Sequence, residues 1–286
     1  MFLAACVQLC CTTDVERNLA MTEQLVRRAA TRGASLVATP ENTAFLGPQF
    51  HKVEQAQSLD GPIAQRLARL ASELGIHLLV GAIAERKVDE SGTIDTSRCY
   101  NTSVMFGPAG ERLASYRKMH LFDVDVPGGL TIRESDSIAP GDELVVADTA
   151  LGKMGLSICY DLRFPELYRA LVDRGAEMIA VPSAFTLTTG KDHWHALLRA
   201  RAIETQTWVL APAQWGTHDE QGKRKSYGHS VIIDPWGAIV ADKGHGEGLC
   251  FAEIDLDRVA AARRAIPVGQ HRRLSSGYSG GSRRTP

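Results

Sequence analysis

A short apolar run, Met154 to Ile158, leads into Cys159, and Pro165 then opens a helical pattern that continues to Arg174. A run of that length bounded by turn signals reads as a buried strand, and proline is favoured in the first turn of a helix. The chain must therefore pass from strand to helix through a tight junction, with Cys159 at its corner. Junctions of this kind belong to layered folds that mix strands and helices. They can also expose a nucleophile above the strand ends, beside free backbone N–H groups. Free cysteine is also among the most readily buried residues, so this segment alone fits a structural thiol equally well.

The rest of the chain repeats the strand and helix punctuation. Leu3 to Leu9 reads as a first strand, followed by an amphipathic helix from Glu16 to Arg32 with Leu19, Leu25, Val26 and Ala29 on one face and Gly33 as its stop. Ala34 to Thr39 is a strand closed by Pro40-Glu41-Asn42, and Pro62 to Leu74 is a helix ended by Gly75. Strands follow at Ile76 to Ala84, Arg98 to Phe106 and Glu111 to Tyr116, the last two joined by the hairpin signal Gly107-Pro108-Ala109-Gly110. His120 to Pro140 carries no period, and irregular segments that long tend to be functional. Beyond it lie strands at Glu143 to Asp148, Met154 to Ile158, Glu177 to Val181 and Thr207 to Ala213, and helices at Pro165 to Arg174 and Lys191 to Gln206. A hairpin around Asp234-Pro235-Trp236-Gly237, a strand at Leu249 to Ile254 and a helix at Asp257 to Ala265 complete one domain, residues 1–267. The tail, residues 268–286, is rich in Gly, Ser and Arg and is expected to be disordered or packed at a subunit interface.

Composition excludes several classes. A net charge of -1 over 286 residues gives no argument for a nucleic-acid or anionic-membrane partner, and neither is expected. No run of 18 apolar residues offers a membrane span. Six cysteines are scattered without a C-x-x-C pair, which suits a reduced, cytoplasmic protein better than a disulfide framework. Leu3-Ala4-Ala5-Cys6 superficially resembles a lipoprotein cleavage box, but it lacks a basic region and a long apolar stretch, so export is not expected.

Three polar motifs sit at predicted strand ends. They are Pro40-Glu41-Asn42, Tyr116-Arg117-Lys118-Met119-His120 and Cys159-Tyr160-Asp161-Leu162-Arg163-Phe164-Pro165-Glu166. Beside the apolar Leu36-Val37-Ala38, desolvation is expected to raise the pKa of Glu41, which suits a general base. Lys118 is placed to donate to an oxyanion or to lower a thiol pKa. Each of these, and Glu134 in the irregular segment, taken singly reads as an ordinary surface charge.

Together they carry a likeness that runs from Val7-Gln8 to Gln270-His271-Arg272-Arg273: the chain resembles the nitrilase superfamily of carbon–nitrogen hydrolases. The resemblance implies Glu41 as general base, Lys118 as the lysine, Cys159 as nucleophile and Glu134 as a second glutamate beside the lysine. Pro182-Ser183-Ala184-Phe185, His193-Trp194-His195, Leu198 to Glu204, Ser226 to Ser230 and Asp234 to Gly237 are similar to the Nit branch of amidases. Members of that branch act as deaminated glutathione amidase or omega-amidase. Ala213 to Gly216 and Ser226 to Ser230 lean to the first, while Leu187 to Gly190 and Phe122 to Gly128 lean to the second. The implied fold is a four-layer α-β-β-α sandwich, and the implied assembly is a homodimer or a larger homo-oligomer. The implied substrate is a small amide of an α-keto acid, cleaved through a cysteine thioester without metal or organic cofactor.

In that scheme Glu41 takes the thiol proton and returns it to the leaving amine, then activates the hydrolytic water. Lys118 and the Tyr160 backbone N–H hold the oxyanion. The acyl pocket is expected to be small and to carry a cation for the substrate carboxylate, with Arg163, Arg199 and Arg201 as candidates. The leaving side is expected to be walled by Pro127 to Thr131 and Thr186 to Lys191. The four tryptophans, Trp194, Trp208, Trp215 and Trp236, read as core or interface.

Rival classes are weaker. On a helix, His193 and His195 point about 200° apart and cannot chelate together, and His120, His218 and His229 are scattered, so metal catalysis is not expected. No protease signature surrounds Cys159. A non-catalytic interaction protein on a nitrilase scaffold has no use for Glu41, Lys118 and Cys159 together. Thiol titration with a substrate-mimicking electrophile separates these classes.

Overall fold

The computed structural model describes residues 1–89, 91–125 and 131–273. Its first half runs β1 (Phe2–Gln8), α1 (Val15–Thr31), β2 (Ala34–Ala38), α2 (Gln49–Glu54), α3 (Pro62–Leu74), β3 (His77–Val88), β4 (Ile94–Phe106), β5 (Arg112–Arg117), β6 (Asp123–Asp125) and β7 (Thr131–Arg133). The second half runs β8 (Val146–Thr149), β9 (Gly152–Leu156), α4 (Pro165–Asp173), β10 (Met178–Ala180), α5 (Leu187–Thr205), β11 (Trp208–Ala211), β12 (Trp215–Thr217), β13 (Lys225–Tyr227), β14 (Val231–Ile233), β15 (Ile239–Asp242), β16 (Gly248–Ile254), α6 (Asp257–Ala265) and α7 (Val268–His271).

Two six-stranded sheets form the middle of the molecule, ordered β16-β1-β2-β3-β4-β5 and β15-β14-β11-β10-β9-β8. Side chains alternate across a strand, and β1 and β2 use both faces. Ala4, Cys6, Leu36 and Ala38 point into a core shared with the second sheet, whereas Ala5, Val7 and Val37 point into a core shared with α1 and α3. On the far side, Leu167, Tyr168 and Leu171 of α4 and Trp194, Leu198 and Ala202 of α5 cover the second sheet. The order of layers is therefore helix, sheet, sheet, helix. Each fully buried Leu or Val in these layers contributes about 1.5–3 kcal/mol of transfer free energy, which is why strands this apolar are covered on both faces.

Local signals set the helix limits. The Asp14 side chain accepts from the Arg17 N–H at 3.0 Å and caps α1. Pro62 opens α3, and Gly75 ends it in the left-handed conformation, φ 62°. Helix α5 starts four residues earlier than its periodicity suggests, at Leu187 rather than Lys191. The segment His120 to Pro140 is not wholly irregular, since β6 pairs with β7 and a 3₁₀ turn, Glu134–Asp136, follows. Part of the expected leaving-side wall, residues 127–130, and residues 274–286 of the tail lie outside the described residues; Val268–His271 is a short helix. Among the described residues, no helix is long and apolar enough to cross a membrane. Trp194 and Trp208 are core, while Trp236 is exposed.

Candidate active site

The four residues singled out above meet at one place. Glu41 leaves the end of β2, Lys118 the end of β5 and Cys159 the junction after β9, while Glu134 begins the 3₁₀ turn after β7. The β2 end is pressed against β3 by Gly81, where a Cβ would lie 2.1 Å from the Thr39 carbonyl oxygen. Lys118 is anchored by its own N–H, which donates to the Asn101 carbonyl at 2.9 Å. Cys159 takes the left-handed backbone, φ 50°, and its N–H donates to the Pro182 carbonyl at 2.9 Å. A non-glycine residue in that region is uncommon and costs on the order of 1–3 kcal/mol, which the surrounding structure must offset.

The offset is visible in Asp161. This fully buried carboxylate accepts from the Ile158 N–H at 2.8 Å, the Tyr116 hydroxyl at 2.8 Å and the His120 N–H at 3.0 Å, and its Oδ1 lies 2.7 Å from His120 Nδ1. The His120 ring stacks on Phe164 at 3.7 Å. The turn that carries Cys159 is thus tied to the strand that carries Lys118.

Lys118 donates to Glu41 Oε1 at 3.0 Å and to both oxygens of Glu134, at 3.0 and 2.8 Å. Glu41 is held from two further sides, by Asn101 Nδ2 at 2.8 Å and by the Ala184 N–H at 2.9 Å. Glu134 also accepts from the Phe122 N–H at 2.7 Å. All four ionisable side chains are buried, and a charge there persists only when paired and hydrogen-bonded.

Burial pushes the Glu41 carboxyl up, but the ammonium groups of Lys118 and Lys52 and hydrogen bonds from Lys118 and Cys159 outweigh it, so Glu41 sits below its ordinary 4.5. Desolvation alone suggested the opposite direction from sequence; the lysine decides it. For Lys118, burial works against the charge, yet Glu134 and Glu41 raise it well above its ordinary value. Burial and then the Glu41 charge push the Cys159 thiol well up, with Lys118 acting in the other direction. Lys118 therefore does not yield a resting thiolate. The ground state is a neutral thiol beside an ionised carboxylate, an arrangement suited to proton transfer from Cys159 to Glu41 during attack.

A narrow cleft at the thiol, about 20 Å³, is lined by Phe122, Cys159, Tyr160, Ala184, Phe185, Thr186 and Thr189. That is room for about one water. A larger cleft of 240 Å³, lined by Arg169, Glu204, Gln206, Arg263 and Arg272 among others, contains none of these reactive groups, and the chemistry assigns the site to the smaller one. The Tyr160 ring packs edge-on against Phe122 and Phe164, at 5.0 and 5.4 Å.

The three arginines part company. The Arg163 guanidinium lies 5.3 Å from the Phe185 ring centroid and 5.9 Å from that of Tyr160, packed against two rings of the cleft without lining it, with His193 Nδ1 3.4 Å away. Arg199 instead donates to the Gly237 carbonyl at 2.9 Å and does not line the cleft. Arg201 is buried, donating to the Leu162 carbonyl and to Glu204.

Sequence reasoning gave Asn101, Asp161 and the Ala184 N–H no role at the site. Asn101 had one signal, a polar run, Asn101-Thr102-Ser103, inside an otherwise apolar strand end. Its Oδ1 is the one buried side-chain oxygen or nitrogen among the described residues without a hydrogen-bond partner. His195 and His229, scattered in sequence, meet at Asp242.

Comparison with known proteins follows the same line. The carbon–nitrogen hydrolase family matches residues 3–264. A deaminated glutathione amidase of Synechocystis sp. is 44% identical over 273 residues, covering 95% of this chain and 98% of that protein. An omega-amidase of Homo sapiens is 38% identical over 274 residues, covering 95% of each. Among solved structures, the C. elegans NitFhit protein superposes with a TM-score of 0.87 at 40% identity; the match covers 95% of this chain and 65% of that one.

Proposed function

Because the chain belongs to the carbon–nitrogen hydrolase family, and is thereby an amidase, we propose that it cleaves the amide of a small α-keto acid at Cys159, with deaminated glutathione as its substrate. The observation that carries this reading is the buried array in which Lys118 joins Glu41 to Glu134 beside the thiol.

Glu41 removes the thiol proton as sulfur attacks the amide carbon. The oxyanion then forms near Lys118 and the Tyr160 N–H. Lys118 has three N–H donors and makes three resting contacts, to Glu41 and to both Glu134 oxygens. Holding the oxyanion means exchanging one of them. Once Glu41 is protonated its oxygen is the weaker acceptor, so that contact is the one released. One preorganised donor of this kind is worth roughly 3–4 kcal/mol in the transition state. Glu41 next passes its proton to the leaving amine, which frees the carboxylate to deprotonate the water that opens the thioester. Glu134 keeps Lys118 charged and oriented throughout.

Arg163 is the cation for the substrate carboxylate, packed against the Phe185 and Tyr160 wall of the cleft. The stretches Ala213 to Gly216 and Ser226 to Ser230, which lean towards a dipeptide leaving group, pack behind that wall. The Tyr227 N–H donates to the Phe185 carbonyl at 2.9 Å, and Ser226 bridges to Thr186. A second reading, omega-amidase activity on α-ketoglutaramate or α-ketosuccinamate, draws on Leu187 to Gly190 at the start of α5, where a Gly190 Cβ would lie 2.4 Å from the Tyr227 Cβ.

The working form is a homodimer or larger homo-oligomer in the cytoplasm. Its assembly face includes the exposed side chains Ile203, Trp236, Ile239 and Val240, and its six free cysteines suit a reducing compartment. Parallel kinetics on the two substrates test the assignment. A kcat/KM for deaminated glutathione at least ~10-fold above that for α-ketoglutaramate, about 1.4 kcal/mol of discrimination, supports it. A ratio at or below one moves the protein to the omega-amidase reading.

A further inference from the structure

Helix α5, the turn before β14 and the end of β15 bring together side chains that the hydrolytic scheme does not use. His195 Nε2 lies 2.9 Å from Asp242 Oδ2, and His229 Nδ1 lies 3.1 and 3.2 Å from the two Asp242 oxygens. The donor atoms of all three residues fall within 4.8 Å of one another. The two imidazoles stand 5.1 Å apart, centroid to centroid, in an edge-on arrangement, so their nitrogens converge while the rings avoid each other.

We propose that His195, His229 and Asp242 bind a divalent transition-metal ion, with zinc the best match to the donors. Two imidazole nitrogens and one carboxylate oxygen are a common zinc set, leaving a fourth position for water or another ligand. His245 packs edge-on against the His229 ring, at 5.3 Å between centroids, outside the cluster of donor atoms. The ion replaces the protons that the ring nitrogens share with the carboxylate, and each neutral ring keeps its proton on the other nitrogen.

The ligands are oriented before any ion arrives. The His229 carbonyl accepts from Trp194 Nε1 at 2.8 Å, its N–H donates to the Gly244 carbonyl at 3.2 Å, and its ring stacks on Tyr227 at 4.5 Å. His229 is one of four non-glycine residues with a left-handed backbone among those described, φ 56°. The Gly244 N–H in turn donates to Asp242 Oδ1 at 2.7 Å, fixing the carboxylate. Outer hydrogen bonds of this kind orient metal ligands. Cys159 and Glu41 take no part, so the site stands independently of the amidase reading. An ion here would clamp α5, whose first residues line the thiol cleft, to the β14–β15 hairpin.

The test uses the full chain, stripped with a chelator and titrated with Co²⁺ and, in parallel, dialysed against Zn²⁺. One equivalent per chain is expected, with a cobalt spectrum of nitrogen and oxygen ligands and no thiolate charge-transfer band, and zinc is expected to raise Tm by mass action. His195→Ala and Asp242→Asn should each weaken binding by at least ~10-fold and abolish the Tm rise, while Cys159→Ala and Cys10→Ser keep both. Because His229→Ala removes a residue that also shapes its turn, His195→Ala is the decisive variant, and unchanged amidase activity without metal certifies its fold. Binding of equal strength in His195→Ala and Asp242→Asn, a thiolate band lost in a cysteine variant, or binding only at millimolar metal would each overturn the proposal.

Discussion

Lys118 and Glu134 are joined by two hydrogen bonds, 2.8 and 3.0 Å, with side chains only 2% and 8% exposed. An ion pair so deeply buried is poor economy for stability alone, because desolvation offsets most of the attraction. Its effect here is on charge state: it keeps an ammonium in place beside a thiol that burial would otherwise leave without a cation. Lys118→Arg keeps the charge but not the compact geometry, and we expect kcat to fall by at least ~10²-fold. Glu134→Gln, which keeps one acceptor oxygen but leaves Glu41 as the lysine's one anionic partner at the site, should lose ~10-fold or more. Steady-state kinetics on both variants check this, and near-normal kcat in either removes its residue from the machinery.

The pH dependence follows from Glu41. Its carboxyl is held below 4.5 by Lys118 and Lys52 against burial, and the Cys159 thiol is held above its ordinary 9.0 by burial and by Glu41. We expect kcat/KM to be flat from about pH 5 to about pH 9, failing on the acid side only once Glu41 protonates. Stability has the same sign. A carboxyl depressed in the folded state stabilises above its unfolded pKa, and that contribution is lost as pH falls through the lower folded value. The Tm difference between wild type and Glu41→Gln should therefore shrink below about pH 4.5. A difference constant down to pH 3 would contradict it.

Asp161 holds the corner that presents the nucleophile. Asp161→Asn removes the charge that two backbone N–H groups, the Tyr116 hydroxyl and the His120 ring address. Hydrogen bonds to a charged acceptor are worth about 1.5–3 kcal/mol each, and we expect a loss of roughly 3 kcal/mol in urea unfolding, together with a lower kcat at unchanged Glu41 and Lys118.

Much of this was written in the sequence, and the gaps have physical reasons. Pro62, Gly75 and Pro165 punctuate helices so strongly that α3 was bounded to the residue. Helix α2, six residues long, and the three-residue strands β6, β7, β12 and β13 are too short for any period to show. Glu41, Lys118 and Cys159, read singly, were two ordinary charges and an ambiguous thiol; the resemblance of their three motifs together to the nitrilase superfamily is what singled them out. The direction of the Glu41 shift was not legible, since it depends on a lysine brought in from another strand. Arg163 and Arg199 looked equivalent until the fold packed one against the Phe185 and Tyr160 rings and the other against the Gly237 carbonyl. The meeting of His195 with His229 needed the helix laid on the sheet.

Covalent chemistry at Cys159 is tested most directly by trapping the acyl-enzyme. Wild-type protein mixed with substrate, quenched in acid and digested, should show the acyl mass on the peptide that contains Cys159, and not on those carrying Cys6, Cys10, Cys11, Cys99 or Cys250. Cys159→Ala should lack the adduct and fall below about one hundredth of wild-type activity, on the scale of losing the nucleophile of a covalent mechanism. An adduct on another cysteine, or a Cys159→Ala variant that still turns over above that level, would contradict the assignment of Cys159 as the nucleophile.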